Sequence, residues 1–166
     1  MSLQQLIELA SIFHDLGKLG IPDSVLLKPG RLNQQEEAIM RTHPVRSQEI
    51  LFPLSHIPAF KAILPGIRSH HERIDGRGYP DGIQNLTIPL ISRIMLIADT
   101  FDAMTTSRPY RKALGVELAY KELKLFAGRQ FDQHLVEIFI KAHPEWGQIE
   151  EEITEEFVSH HFKKAA

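Results

Sequence analysis

The segment 90–105 constrains the fold more than any other. Ile91, Ile94, Met95, Leu96, Ile97, Ala98, Phe101 and Met104 cover most of the circumference of a helix. A helix that is apolar on most sides must be enclosed by other elements, so this one is expected to be the buried centre of the domain. The flanking segments carry narrower stripes at three- and four-residue steps: Leu3, Leu6, Ile7, Ala10 and Phe13; Phe60, Ile63, Leu64 and Ile67; Val116, Ala119, Leu123 and Phe126. No run of four to eight residues alternates as a strand would, and no repeat is visible. The fold class is all-α.

Breakers divide the chain. Gly17 and Gly20 stop the first helix, and Pro22 opens a short segment. Asn33 with Glu36 three residues on is an N-cap pattern for a helix over 34–42. That helix ends before Pro44, which opens the next, with Val45, Ile50 and Leu51 on its apolar side. A loop over 53–58 precedes a helix that is expected to bend at Pro65 and run to His70 and His71. The stretch 72–89 has no apolar period and holds Gly76, Gly78 and Gly82; a loop of that length in a compact domain is usually functional. Gly128 closes the stripe of Val116 to Phe126. Asp132 caps a final helix over 133–143 that Pro144 ends.

Composition removes several classes of function. At 166 residues one domain is expected. A net charge of -2 argues against bulk binding to DNA or RNA polymers or to membrane phosphates. Without cysteine there is no disulfide, thiolate ligand or iron–sulfur cluster. No apolar run is long enough to insert in a membrane, and no leader pattern opens the chain; a cytoplasmic location is expected.

Against this background certain polar residues need an explanation. His14 and Asp15 stand side by side at the end of the first helix, with Lys18 one turn on. Asp99 lies within the apolar helix, where an unpaired carboxylate is costly. It can be a metal ligand, or it can cap a neighbouring helix or pair with an arginine. His43 marks a helix end, and His70 and His71 form a doublet that can reach different members of a metal cluster or straddle a core boundary. Together His14, Asp15, His43, His70, His71 and Asp99 form a nitrogen–oxygen donor set without sulfur, suited to iron, manganese, zinc or nickel. An Asp can bridge two cations, and a cation pair about 3.5–4 Å apart runs in-line displacement at phosphorus. His56, His134, His143 and the doublet His160 and His161 are read as structural or solvated.

At this point the motifs in order carry a resemblance. His14-Asp15 with Gly17-Lys18 and Gly20-Ile21-Pro22, then LLKPGRL, His43-Pro44, HHERIDGRGYPDG and ADTFDAMTTSRPYR, resemble the HD-GYP subfamily of the HD-domain phosphohydrolases over most of the chain. The resemblance implies an HD-domain helical bundle with a long Gly-rich loop over 1–146, and a charged C-terminal helix or tail over 147–166. It implies hydrolysis of cyclic di-GMP to pGpG or GMP by metal-activated hydroxide, with two or three divalent metals, commonly iron or manganese. His14, Asp15, His43, His70, His71 and Asp99 match the family's metal ligands. Lys18 matches a lysine that offsets charge at the cluster, and Arg108 and Arg111 match arginines that grip substrate phosphates. Tyr79 of Gly78-Tyr79-Pro80 offers a stacking face and a hydroxyl, in a loop that the family ties to the substrate mouth or to partner domains.

Two departures accompany the match. The family takes a further His, and in three-metal members a Glu, from an upstream helix, whereas residues 1–13 contain no His and only Glu8 as an acid. The domain is therefore expected to lack that helix, leaving an apolar face that invites a homodimer. Arg46-Ser47 stands where the family usually has small residues, which is expected to alter packing beside the His-Pro helix. Three readings follow: a cyclic di-GMP phosphodiesterase, a non-catalytic module that binds cyclic di-GMP or a diguanylate cyclase domain, and an HD phosphohydrolase acting on another nucleotide.

Overall fold

The computed structural model describes residues 1–107 and 112–145, and these form a helical bundle. Eight α-helices follow in order among the described residues: α1 Leu3–Phe13, α2 Asp23–Leu26, α3 Gln34–Met40, α4 His43–Leu51, α5 Pro58–Arg68, α6 Leu90–Thr105, α7 Val116–Leu125 and α8 Gln133–Ala142. Short 3-10 turns fill Leu16–Gly20, Phe52–Leu54, Asn85–Thr87 and His143–Glu145. No strand occurs among the described residues, as the periodicity predicts. Arg108, Arg111 and the expected tail over 147–166 lie outside them.

The helix ends follow local chemistry. Ser2 caps α1 and forms a capping box with Gln5; Asn33 and Glu36 do the same for α3. Asp132 caps α8 by accepting from the His134 and Leu135 amides. Pro44 sits in the first turn of α4, where its missing N–H would have no helical partner anyway.

Helix α6 is the spine. Its first half sets Ile91 and Met95 into a cluster with Ala10 of α1, Leu51 of α4, and Ile63, Leu64 and Ile67 of α5. The second half sets Leu96, Ile97 and Phe101 into another, with Ala119, Tyr120 and Leu123 of α7, Phe131, and Val136 of α8. At about 25 cal/mol per Å² of apolar surface removed from water, these two clusters are the main source of stability.

The helix is the buried centre that its apolar residues predict, although its enclosure is not complete. Ala98 is exposed and Ile94 only half-buried. Both line a shallow apolar groove of about 200 Å³ that α8 leaves uncovered. Asp99 is half-buried on this helix, so its carboxylate does not carry the full desolvation cost expected of it.

The helix before the histidine doublet also differs. It runs through Pro65 but stops at Arg68, so His70 and His71 stand in the turn beyond α5. Burying this turn between α4 and the following loop fixes both rings without helical geometry.

Candidate metal centre

Three helix ends and a turn bring five of the expected donors together. His14 follows the last residue of α1, and Asp15 precedes the Leu16–Gly20 turn. His43 opens α4, and the 69–71 turn supplies His70 and His71. Donor atoms of His43, His70 and His71 lie within 4.8 Å of one another, as do those of His14, Asp15 and His70. His70 belongs to both groups. Asp99 belongs to neither, although its charge reaches the same Tyr79 hydroxyl as that of Asp15.

A sequence-distant contact locks the His14–Asp15 corner onto α4. Buried Ser47 accepts from the Gly17 amide at 2.7 Å and donates to the His14 carbonyl at 2.6 Å. Gly17 packs so tightly there that a Cβ would lie 2.1 Å from the His43 carbonyl oxygen and 2.5 Å from the Ser47 amide nitrogen. Arg46 donates to the Gly20 carbonyl. Hence the Arg46-Ser47 departure builds this joint.

Hydrogen bonds fix the tautomers of three histidines. His14 Nδ1 lies 2.7 Å from the Ser11 carbonyl oxygen, His43 Nδ1 2.8 Å from that of Met40, and His70 Nδ1 2.6 Å from that of Ile67. A carbonyl can only accept, so each Nδ1 carries a proton and, in a neutral ring, each Nε2 is a lone pair. Those lone pairs converge. His43 Nε2 lies 3.2 Å from His70 Nε2 and 3.2 Å from Asp15 Oδ1; His14 Nε2 lies 3.5 Å from Asp15 Oδ2. Asp15 Oδ1 is buried and has no hydrogen-bond donor. Such a set of acceptors facing one another is repulsive unless a cation lies among them. His56 makes the same bond to Pro53, but in the open and away from other donors; convergence distinguishes the cluster.

The electrostatics agree with ligand roles. Burial pushes His70 down to about 3 and His71 to about 2, so both rings are neutral near pH 7. Burial pushes the Asp15 carboxyl up, but the Lys18 ammonium beside it holds Asp15 ionised well below the usual range. Lys18 Nζ reaches Asp15 Oδ2 at 2.5 Å. Nitrogen and carboxylate oxygen donors without sulfur suit a divalent transition metal, and this cluster could hold one.

Two walls shape the approach. On one side a cleft of about 430 Å³ opens on Asp15 and Lys18 between the apolar side chains of Ile12, Leu19, Ile21 and Leu26. On the other, Tyr79 stacks on His71 with ring centroids 4.8 Å apart and meets His43 edge-on at 6.4 Å. The Gly78 position is pressed against backbone: a Cβ would lie 2.4 Å from the Arg73 amide nitrogen and 2.6 Å from the His71 carbonyl oxygen. Only glycine lets the loop lie so close. Fully buried Glu72 secures the same loop, with Oε1 accepting from the Asp81 and Gly82 amides at 2.6 and 3.0 Å. Arg68 clamps Asp81 through two bonds of 2.7 Å. The sequence assigns neither Glu72 nor Ser47 to the site; the local signals are the position of Glu72 directly after the His doublet and the Arg46-Ser47 departure beside His43-Pro44.

Comparison with known proteins agrees with this geometry. The sequence profile of the HD domain matches residues 1–135. The cyclic di-GMP phosphodiesterase response regulator RpfG of Xanthomonas campestris pv. campestris is 41% identical over 87% of this chain. 3'3'-cGAMP-specific phosphodiesterase 2 of Vibrio cholerae is 41% identical over 82%. The chain spans 38% of the length of the first and 26% of the second. A crystal structure of a cyclic GMP-AMP specific phosphodiesterase from Vibrio cholerae, V-cGAP3, superposes over 82% of this chain and 37% of its own with a TM-score of 0.59 at 22% identity. That likeness is one of fold. By the profile match and by its motifs, the chain belongs to the HD-domain family.

Proposed function

We propose that this chain is the catalytic domain of a metal-dependent phosphodiesterase that hydrolyses cyclic di-GMP to pGpG or GMP. The observation that carries the reading is the convergence of lone pairs from His14, His43 and His70 on the half-buried Asp15 carboxylate, whose Oδ1 is buried without a donor. In this reading His14, Asp15, His43, His70 and His71 would hold two or three divalent metals, iron or manganese before zinc or nickel. Asp99 is a further ligand. Bound metals would supply Lewis acidity, activating water and neutralising charge on the phosphodiester.

The chain's own residues prepare that chemistry. Neutral His70 and His71 keep their lone pairs available at ordinary pH. Lys18, held by Asp15, offsets negative charge that develops on phosphate oxygens. Tyr79, braced on His71, is proposed to meet the substrate at the mouth with its ring edge and hydroxyl. Burial pushes the Tyr79 phenol up, so its hydroxyl stays protonated and can donate. Arg108 and Arg111 are proposed to grip the substrate phosphates as bidentate forks. Partners consistent with the reading are a diguanylate cyclase domain and a second copy of this chain, the latter over exposed Met1, Leu3 and Ile12.

The 41% identity to a 3'3'-cGAMP-specific enzyme favours a second reading, in which the substrate is the mixed cyclic dinucleotide. One panel decides: cyclic di-GMP, 3'3'-cGAMP and a mononucleotide phosphomonoester, each incubated with manganese- or iron-loaded protein and resolved by anion-exchange chromatography. Turnover of cyclic di-GMP first is the expected result. Preference for 3'3'-cGAMP supports the second reading, and turnover of the monoester alone refutes both. No helix among the described residues is long and apolar enough to cross a membrane.

A further inference from the structure

We propose that Arg41 is a substrate-binding residue whose guanidinium, seated over the Tyr79 ring at the mouth of the cluster, takes a phosphate of the cyclic dinucleotide. The proposal rests on the phosphodiesterase reading above. Arg41 caps the end of α3, two residues before His43. Its guanidinium carbon lies 5.1 Å from the Tyr79 ring centroid. The same ring stacks on His71 at 4.8 Å with 25° between the planes. Guanidinium, phenol and ligand imidazole therefore form one stack, and a single aromatic ring separates the charge from the metal cluster.

The plainer account is a solvated surface arginine paired with Glu37. That pair exists: Nε and Nη2 both donate to Glu37 Oε1, at 3.1 and 2.6 Å. Two features exceed it. The seat over Tyr79 is a cation–π contact that holds the head group at the mouth instead of leaving it to sweep solvent. One carboxylate oxygen takes both bonds, so Nη1 has no protein acceptor among the described residues. Both partners of the ion pair are about half exposed, with side-chain exposures of 49% and 52%. Such exposed pairs contribute little, so a phosphate can displace Glu37 at little cost and gain a bidentate fork.

Cyclic di-GMP is titrated calorimetrically into manganese-loaded full chain, with turnover followed in parallel, for wild type, Arg41→Ala, Arg41→Lys and Glu37→Gln. Arg41→Ala is expected to weaken Kd and raise KM about tenfold while kcat stays within threefold. Arg41→Lys restores only part, because an ammonium lacks the fork. Glu37→Gln removes the competing carboxylate and is expected to tighten binding two- to threefold, which keeps the test valid if Arg41→Ala fails to fold. Unchanged Kd and KM in Arg41→Ala overturn the proposal, as does weakening in Glu37→Gln, which marks a purely structural pair. If wild type binds but does not turn over, the phosphodiesterase reading fails while Arg41 is still judged by Kd. If wild type does not bind, both fall.

Discussion

Replacing Ser47 with alanine tests the joint that aligns the cluster. Its hydroxyl is fully buried and serves two backbone groups of the His14–Asp15 corner, accepting from the Gly17 amide and donating to the His14 carbonyl. Alanine fills nearly the same volume, so cavity terms are small and the loss is of hydrogen bonds. The Gly17 amide would be left buried without a partner, which costs about 1–3 kcal/mol. The His14 carbonyl, at a half-buried residue, would recover part of its loss from water and add about 0.5–1 kcal/mol. The expected destabilisation is therefore about 1.5–4 kcal/mol, a large fraction of a typical domain's 5–15. Urea unfolding of the metal-free protein would show a lower midpoint at unchanged slope. The corner would also loosen against His43, so metal affinity should fall about tenfold or more. A change below about 0.5 kcal/mol, with unaltered metal binding, would refute the reasoning, since that is the size expected of an ordinary surface substitution.

Two further outcomes follow from the same geometry. Gly78→Ala would force a Cβ against the Arg73 amide, the Glu72 Cα and the His71 carbonyl at 2.4–2.6 Å, so the loop must lift and take Tyr79 off His71; limited proteolysis at Arg73 and Arg77 should accelerate, and wild-type resistance would count against it. Metal-free protein should lose stability on acidification, because His70, at about 3 when folded, has an ordinary value of 6.5 when unfolded. The unfolded chain then binds more protons, so stability is full above about pH 6.5 and falls toward pH 3, by about 2 kcal/mol at pH 5 from His70 alone. Ionised Asp15 adds a loss in the same direction below about pH 4, and denaturant midpoints that do not move between pH 7.5 and pH 5 would contradict the assignment.

The helices were legible because their signals are local. The stripe of Leu90–Thr105, the Asn33–Glu36 box and the Asp132 cap each need only a dozen neighbouring residues, and each recurs in the structure at the expected place. His14, Asp15 and His43 converge because each stands where a helix starts or stops, which sequence punctuation marks. What the chain hides is the long-range joinery. Ser47 meets the His14 carbonyl across 33 positions, and no periodicity announces it. The His doublet left its helix because the turn is stabilised by burial against α4. Asp99 is half-buried on a helix that its neighbours enclose only in part, and no local pattern marks that opening. Arg41 has no mark of its own in the sequence; its seat over Tyr79 depends on how a distant loop folds back.

The account stands on a cluster of lone pairs that a cation must complete, and metal content tests this most directly. Protein purified without chelator, or reloaded with manganese or iron, would be measured by elemental analysis beside the His70→Ala variant, whose ring belongs to both donor groups. About two metals per chain in the wild type, with both lost or weakened in the variant, is the predicted result. No bound metal after reloading, or equal content in a folded His70→Ala variant, would contradict it.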